Sequence, residues 1–78
     1  MTVRVRYFAA AAEGAGADEE QRSEASLSAL RAAIVGDHPN LGDILPRCAV
    51  LVDGVRTDTD APLAAGSLVD VLPPFAGG

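Results

Sequence analysis

The chemistry-bearing stretch of this chain is its last six residues, Pro73-Pro74-Phe75-Ala76-Gly77-Gly78. They follow a β-like run, Ser67-Leu68-Val69-Asp70-Val71-Leu72. Two prolines with fixed φ and no N–H end the strand and send the chain away from a sheet in extended form. Gly77 and Gly78 carry no side chains, so the tip is thin. A stiff base, one aromatic ring and a bare diglycine suit the entry of an α-carboxylate into a narrow channel on another protein. Gly-Gly alone is also how a frayed terminus reads. The expectation that separates the two is that the carboxylate of Gly78 is itself the working group. Gly77 then provides clearance, and Phe75 an aromatic anchor, the alternative being that Phe75 folds back on the domain. The partner-binding set expected is Gly77, Ala76, Phe75, Pro74 and Pro73, joined by Leu72 and Phe8 if those two share the outward parity of their strands.

Other reactive side chains are few. Cys48 lies at the edge of an apolar run and reads as a buried, inert thiol. His38 has no second histidine or cysteine at ligand spacing and reads as a loop residue. The acidic run Asp18-Glu19-Glu20 reads as solvated surface. No Ser-His-Asp set, phosphate loop or metal motif is present in the sequence. All six basic residues are arginine. If the C-terminus is activated as an acyl ester, no side-chain amine of this chain can intercept it.

These groups sit on one small domain of 78 residues with a formal charge of −5. That charge argues against nucleic acid and anionic membranes and for a partner with a basic face. A single cysteine excludes an internal disulfide and a cysteine-based metal cluster. No stretch reaches membrane-spanning length, and the opening Met1-Thr2-Val3-Arg4-Val5 is a strand pattern rather than a signal peptide. A cytoplasmic chain is expected. Apolar residues make up 49% of the sequence, much of it alanine, so the core must come from the Val, Leu and Ile residues plus Tyr7 and Phe8.

The elements that position the tail are legible in order. Val3-Arg4-Val5-Arg6-Tyr7-Phe8 alternates with period two, with Val3, Val5 and Tyr7 on one face and Arg4, Arg6 and Phe8 on the other. Residues 9–16 read as a turn or a single helical turn. The segment 17–24 has no apolar residue after Ala17 and is at most a weak edge strand guarded by its charges. Ser26 is a fitting N-cap for a helix carrying Leu27, Leu30 and Ile34 on one stripe, with Gly36 as its stop and Pro39 beyond. Residues 39–46 read as a loop with one turn around 41–45. Cys48-Ala49-Val50-Leu51-Val52 reads as a buried central strand. Asp53-Gly54 signals a type I′ hairpin leading to Val55-Arg56-Thr57. Ala64-Ala65-Gly66 is a tight turn before the last strand. One main helix over one sheet is a two-layer α+β arrangement. Placing the first and last strands side by side at the centre gives a ubiquitin-like β-grasp of about five strands over residues 1–72, with a tail over 73–78.

Val-Arg-Tyr-Phe-Ala at the start, the Leu-x-x-Leu helix, a strand ending in Asp-Gly, a Pro-Leu-x-x-Gly turn and the Leu-Pro-Pro-Phe-Ala-Gly-Gly ending resemble the MoaD family. These are ubiquitin-like sulfur carriers, the small subunits of molybdopterin synthase. The resemblance covers essentially the whole chain, with departures between Gly16 and Glu24 and around His38. It implies no bound cofactor and no catalytic acids or bases of the chain's own. An ATP-dependent, ubiquitin-activating-like adenylating enzyme would convert Gly78 to an acyl-adenylate. A persulfide sulfur donor would then yield a C-terminal thiocarboxylate. That anion would carry sulfur into the large catalytic subunit, MoaE, in a heterotetramer, to form the molybdopterin dithiolene. Two other readings stay open: a carrier serving cysteine, the thiamin thiazole or a secondary metabolite, and a ubiquitin-like protein modifier or docking module.

Overall fold

The computed structural model describes residues 1–74. Strand β1 (Val3–Tyr7) is followed by a short helix α1 (Ala10–Ala15), strand β2 (Glu19–Arg22) and the main helix α2 (Leu27–Asp37). Two 3₁₀ turns (Pro39–Leu41 and Leu45–Arg47) lead to β3 (Ala49–Val52), β4 (Val55–Arg56) and β5 (Leu68–Leu72). The strand order is β2-β1-β5-β3-β4. β1 and β5 pair in parallel at the centre and the other pairs are antiparallel, which is the β-grasp arrangement.

Period-two alternation in β1 decides the layers. Val3, Val5 and Tyr7 are buried and Arg4 and Arg6 are exposed. The buried side meets Val69 and Val71 of β5 and Val50 of β3, and α2 covers it with Leu27, Leu30 and Ile34. Leu41 and Leu45 from the two 3₁₀ turns close the core. Burying a Leu or Ile side chain of this kind contributes about 1.5–3 kcal/mol.

Helix α2 begins where the Ser26 hydroxyl accepts from the Ala29 N–H at 3.2 Å. A second acceptor was not legible in the sequence: Asp60 Oδ1 takes the Ser28 N–H at 2.8 Å. That hydrogen bond holds the Asp60 carboxyl below its ordinary range. The helix does not stop at Gly36 as expected. It runs to Asp37 and ends at His38 (φ −128°, ψ 77°), because Pro39 disfavours helical geometry in the residue before it. The short helix α1 was expected as no more than one turn, and it packs close to the first 3₁₀ turn. A Cβ on Gly14 would stand 2.5 Å from Leu41 Cδ2. The hairpin turn is as expected, with Asp53 at φ 50° and Gly54 at φ 84°.

Three expectations are corrected. Phe8 is not a core residue: it is 39% exposed, because it continues the outward parity of Arg4 and Arg6. The run 39–46 holds parts of two 3₁₀ turns rather than one turn. The strand expected from Cys48 starts at Ala49, lies one place from the sheet centre, and buries only Val50 fully. The weak edge strand does form, as β2.

Candidate functional site

The tail leaves from the strand at the centre of the sheet. β5 lies between β1 and β3, and its last residue, Leu72, pairs with Ala49. Proline cannot donate to the ladder, so pairing stops there. Pro73 is still buried against the body, whereas Pro74 is exposed. Pro74 lines a cleft with Asp43, Ile44 and Arg47. The expected site residues Phe75, Ala76, Gly77 and Gly78 lie outside the described residues. Leu72 is half-buried and Phe8 exposed.

Phe8 and Leu72 come together because of the parallel register. Tyr7 stands opposite Val71, and the Phe8 N–H donates to the Val71 carbonyl at 3.2 Å, so Phe8 is carried alongside the end of β5. Next to them on the outer face of the sheet is an ion pair that the sequence did not single out. Arg6 Nε donates to Asp70 Oδ1 at 2.6 Å and Nη2 to Oδ2 at 2.9 Å. This hydrogen bonding raises the Arg6 pKa further above its ordinary range. Arg6 Cζ stands 5.7 Å from the centroid of the Phe8 ring. The parallel pairing of Arg6 with Asp70 is the signal that could have found this pair, once β1 and β5 are placed side by side.

The opposite side of β1 and β2 holds a second polar cluster. Glu20 and Arg22 take inward positions where an edge strand would normally place apolar side chains. The Tyr7 hydroxyl donates to Glu20 Oε1 at 2.5 Å, and His38 Nε2 stands 3.2 Å from both Glu20 oxygens. Arg22 donates to Glu24 at 2.9 Å and to Asp37 at 2.6 Å. These bonds raise the Arg22 pKa above its ordinary range. Burial, and then the Glu20 acceptor, push the Tyr7 phenol well above its own. Glu20 is therefore not a solvated charge, and His38 is not a free loop residue. Together they tie the edge strand to the end of α2.

Cys48 is buried, and its thiol donates to the Ile44 carbonyl at 3.3 Å. Burial raises its pKa, with Arg31 opposing in part, so the thiolate is scarce and shielded. Among the described residues no three ligating side chains converge in a metal-binding group, and no helix is long and apolar enough to cross a membrane.

Residues 5–78 match the ThiS family. The chain is 34% identical, over the full length of both proteins, to a molybdopterin synthase sulfur carrier subunit of Chlamydomonas reinhardtii. Among solved structures, the small archaeal modifier protein SAMP1 from Haloferax volcanii superposes with a TM-score of 0.87 at 26% identity, covering 100% of both chains. A chain from the complex of subunits 1 and 2 of the molybdopterin-converting factor of Helicobacter pylori gives 0.76 at 29% identity, again covering 100% of both chains. With a family match that runs from β1 through the diglycine, this chain belongs to the ThiS family.

Proposed function

We propose that this chain is a sulfur carrier and the small subunit of a molybdopterin synthase. The observation that carries this reading is full-length similarity to a molybdopterin synthase sulfur carrier subunit, supported by this chain's own Pro-Pro-Phe-Ala-Gly-Gly run directly after the residues of the central strand. A carboxylate is a poor electrophile, because its carbonyl is delocalised and its leaving group would be oxide. An ATP-dependent adenylating enzyme supplies AMP as the leaving group at Gly78. The terminal sulfur of a persulfide donor displaces AMP, and a thiol cleaves the acyl disulfide so formed to leave the thiocarboxylate. That anion is the nucleophile that delivers sulfur to a large subunit. The pairing of subunits 1 and 2 in the Helicobacter pylori complex supports such a partner here. Leu72 and Phe8 form its docking face together with residues 73–78, which follow the 1–72 domain in sequence. Residues of the body position the tail, while the acids, bases and phosphate-binding groups belong to the partners.

The test is the intact mass of the protein after incubation with ATP, a sulfur donor and an adenylating enzyme from the same organism. The expected result is a gain equal to the replacement of one oxygen by sulfur, absent when Gly78 is deleted. No gain, where a control carrier is converted by the same enzyme, would overturn the reading. The similarity to a small archaeal modifier protein favours a second reading, in which activated Gly78 is joined to a lysine of another protein. An isopeptide adduct in place of the sulfur gain would select it.

A further inference from the structure

Asp70 occupies the middle of the central strand on the outer face of the sheet, and it is 7% exposed. Placing a carboxylate there carries a desolvation penalty, and a pair whose Arg6 partner remains half in solvent returns little net stability against it. Stability therefore explains the Asp70–Arg6 pair poorly. Its geometry explains it better. The two-point contact of Arg6 with Asp70, at 2.6 and 2.9 Å, fixes the plane of the guanidinium as well as its place. That guanidinium lies 5.7 Å from the centre of the exposed Phe8 ring, where a cation is attracted to an aromatic face. On the other side the Phe8 N–H is held by the Val71 carbonyl. Ala9 directly after it has φ 50° and ψ −125°, a conformation that residues with a Cβ rarely adopt.

We propose that Asp70 is a positioning residue for docking: through Arg6 it fixes the Phe8 ring beside the tail root before a protein partner arrives. This rests on the reading of Phe8 as part of the docking face for the large subunit. An exposed ring held in its bound orientation has less side-chain freedom to lose on association, so it binds more tightly for the same contact. The charge of Arg6 is matched within the chain by Asp70, so its contribution to docking is orientation rather than pairing with an acidic group of the partner.

The test is calorimetric titration of the large subunit from the same organism with wild-type protein and the variants D70N, R6K, F8A, D70N/F8A and R6K/F8A. Thermal melting of each variant reports its folding. D70N and R6K are each expected to weaken binding about two- to tenfold, and to have no further effect once Phe8 is replaced by alanine. R6K keeps the charge but not the planar fork, so a purely electrostatic role for Arg6 would leave its affinity unchanged, and that result would overturn the proposal. Equal losses in the wild-type and F8A backgrounds would overturn it as well, since Asp70 would then act independently of the ring. Should D70N fail to fold, the R6K pair decides by the same criteria, because the Arg6 side chain is 44% exposed and tolerates change. If F8A binds as well as wild type, both the docking role of Phe8 and the positioning role of Asp70 fall. The sulfur-for-oxygen mass gain reports carrier function separately.

Discussion

Replacing Tyr7 by phenylalanine tests how the edge strand is held, and this chain gives an unusually clean readout at alkaline pH. It has one tyrosine, one cysteine and no lysine, so few groups titrate there. The Tyr7 ring is 2% exposed and meets His38 edge-on at 6.1 Å, contacts that phenylalanine retains. What is lost is the 2.5 Å hydrogen bond to Glu20. A hydrogen bond to a charged group contributes about 1.5–3 kcal/mol, and Glu20 keeps its His38 contact, so the lower half of that range is expected at neutral pH. Small domains have a total stability of about 5–15 kcal/mol, so the change is readily measured. The pH dependence follows from the direction of the shifts. Burial and the Glu20 acceptor raise the folded phenol pKa, and burial raises that of the Cys48 thiol. Both groups hold their protons more firmly folded than unfolded. Their stabilisation is complete below the unfolded pKa and is lost as pH rises toward the folded one. For tyrosine the loss begins near about pH 10 and approaches about 1.4 kcal/mol per pH unit. Urea denaturation midpoints measured in a Cys48→Ala background remove the thiol contribution. In that background the Tyr7 protein should lose stability steeply above about pH 10 while Y7F does not, so the two curves converge. Parallel decline of the two curves would refute the reasoning.

Leu30→Ala should destabilise by about 2–5 kcal/mol in chemical denaturation, because Leu30 is 0% exposed under the sheet and its removal leaves a cavity. Ala9→Gly should stabilise by about 1 kcal/mol, because relief of a backbone at φ 50° and ψ −125° outweighs the added freedom of glycine in the unfolded chain; a lowered melting temperature would contradict this. Deleting Gly78 should abolish the sulfur-for-oxygen mass gain and leave the melting temperature unchanged, the second half failing if the shortened chain melts early. Phe75→Ala should weaken binding to the large subunit by about 1–2 kcal/mol with little effect on unfolding, and equal affinity by calorimetry would remove the anchor role.

Much of this protein was written in local pattern. Period two in Val3–Tyr7, the Leu27-Leu30-Ile34 stripe and the Asp53-Gly54 turn each follow from sterics or burial within a few residues, and each stands where the spacing put it. The end of α2 was misplaced because two local signals compete there, and the constraint from Pro39 overrides the freedom of Gly36. Phe8 illustrates a different conflict, in which an aromatic needed by a small core was assigned inward by composition and placed outward by parity.

The sequence by itself allowed a parallel central pair but did not demand it; what it determined was the order of elements and the Pro-Pro-Phe-Ala-Gly-Gly run that follows the last strand. These depend on periodicity, on turn chemistry and on the missing N–H of proline, all of which act along the chain. The two polar clusters were decided only by the tertiary structure. Asp70 meets Arg6 across 64 positions, and Glu20 gathers Tyr7 and His38 from β1 and the end of α2. Neither set has a spacing to recognise, because it is strand register and helix docking that bring its members within hydrogen-bonding distance.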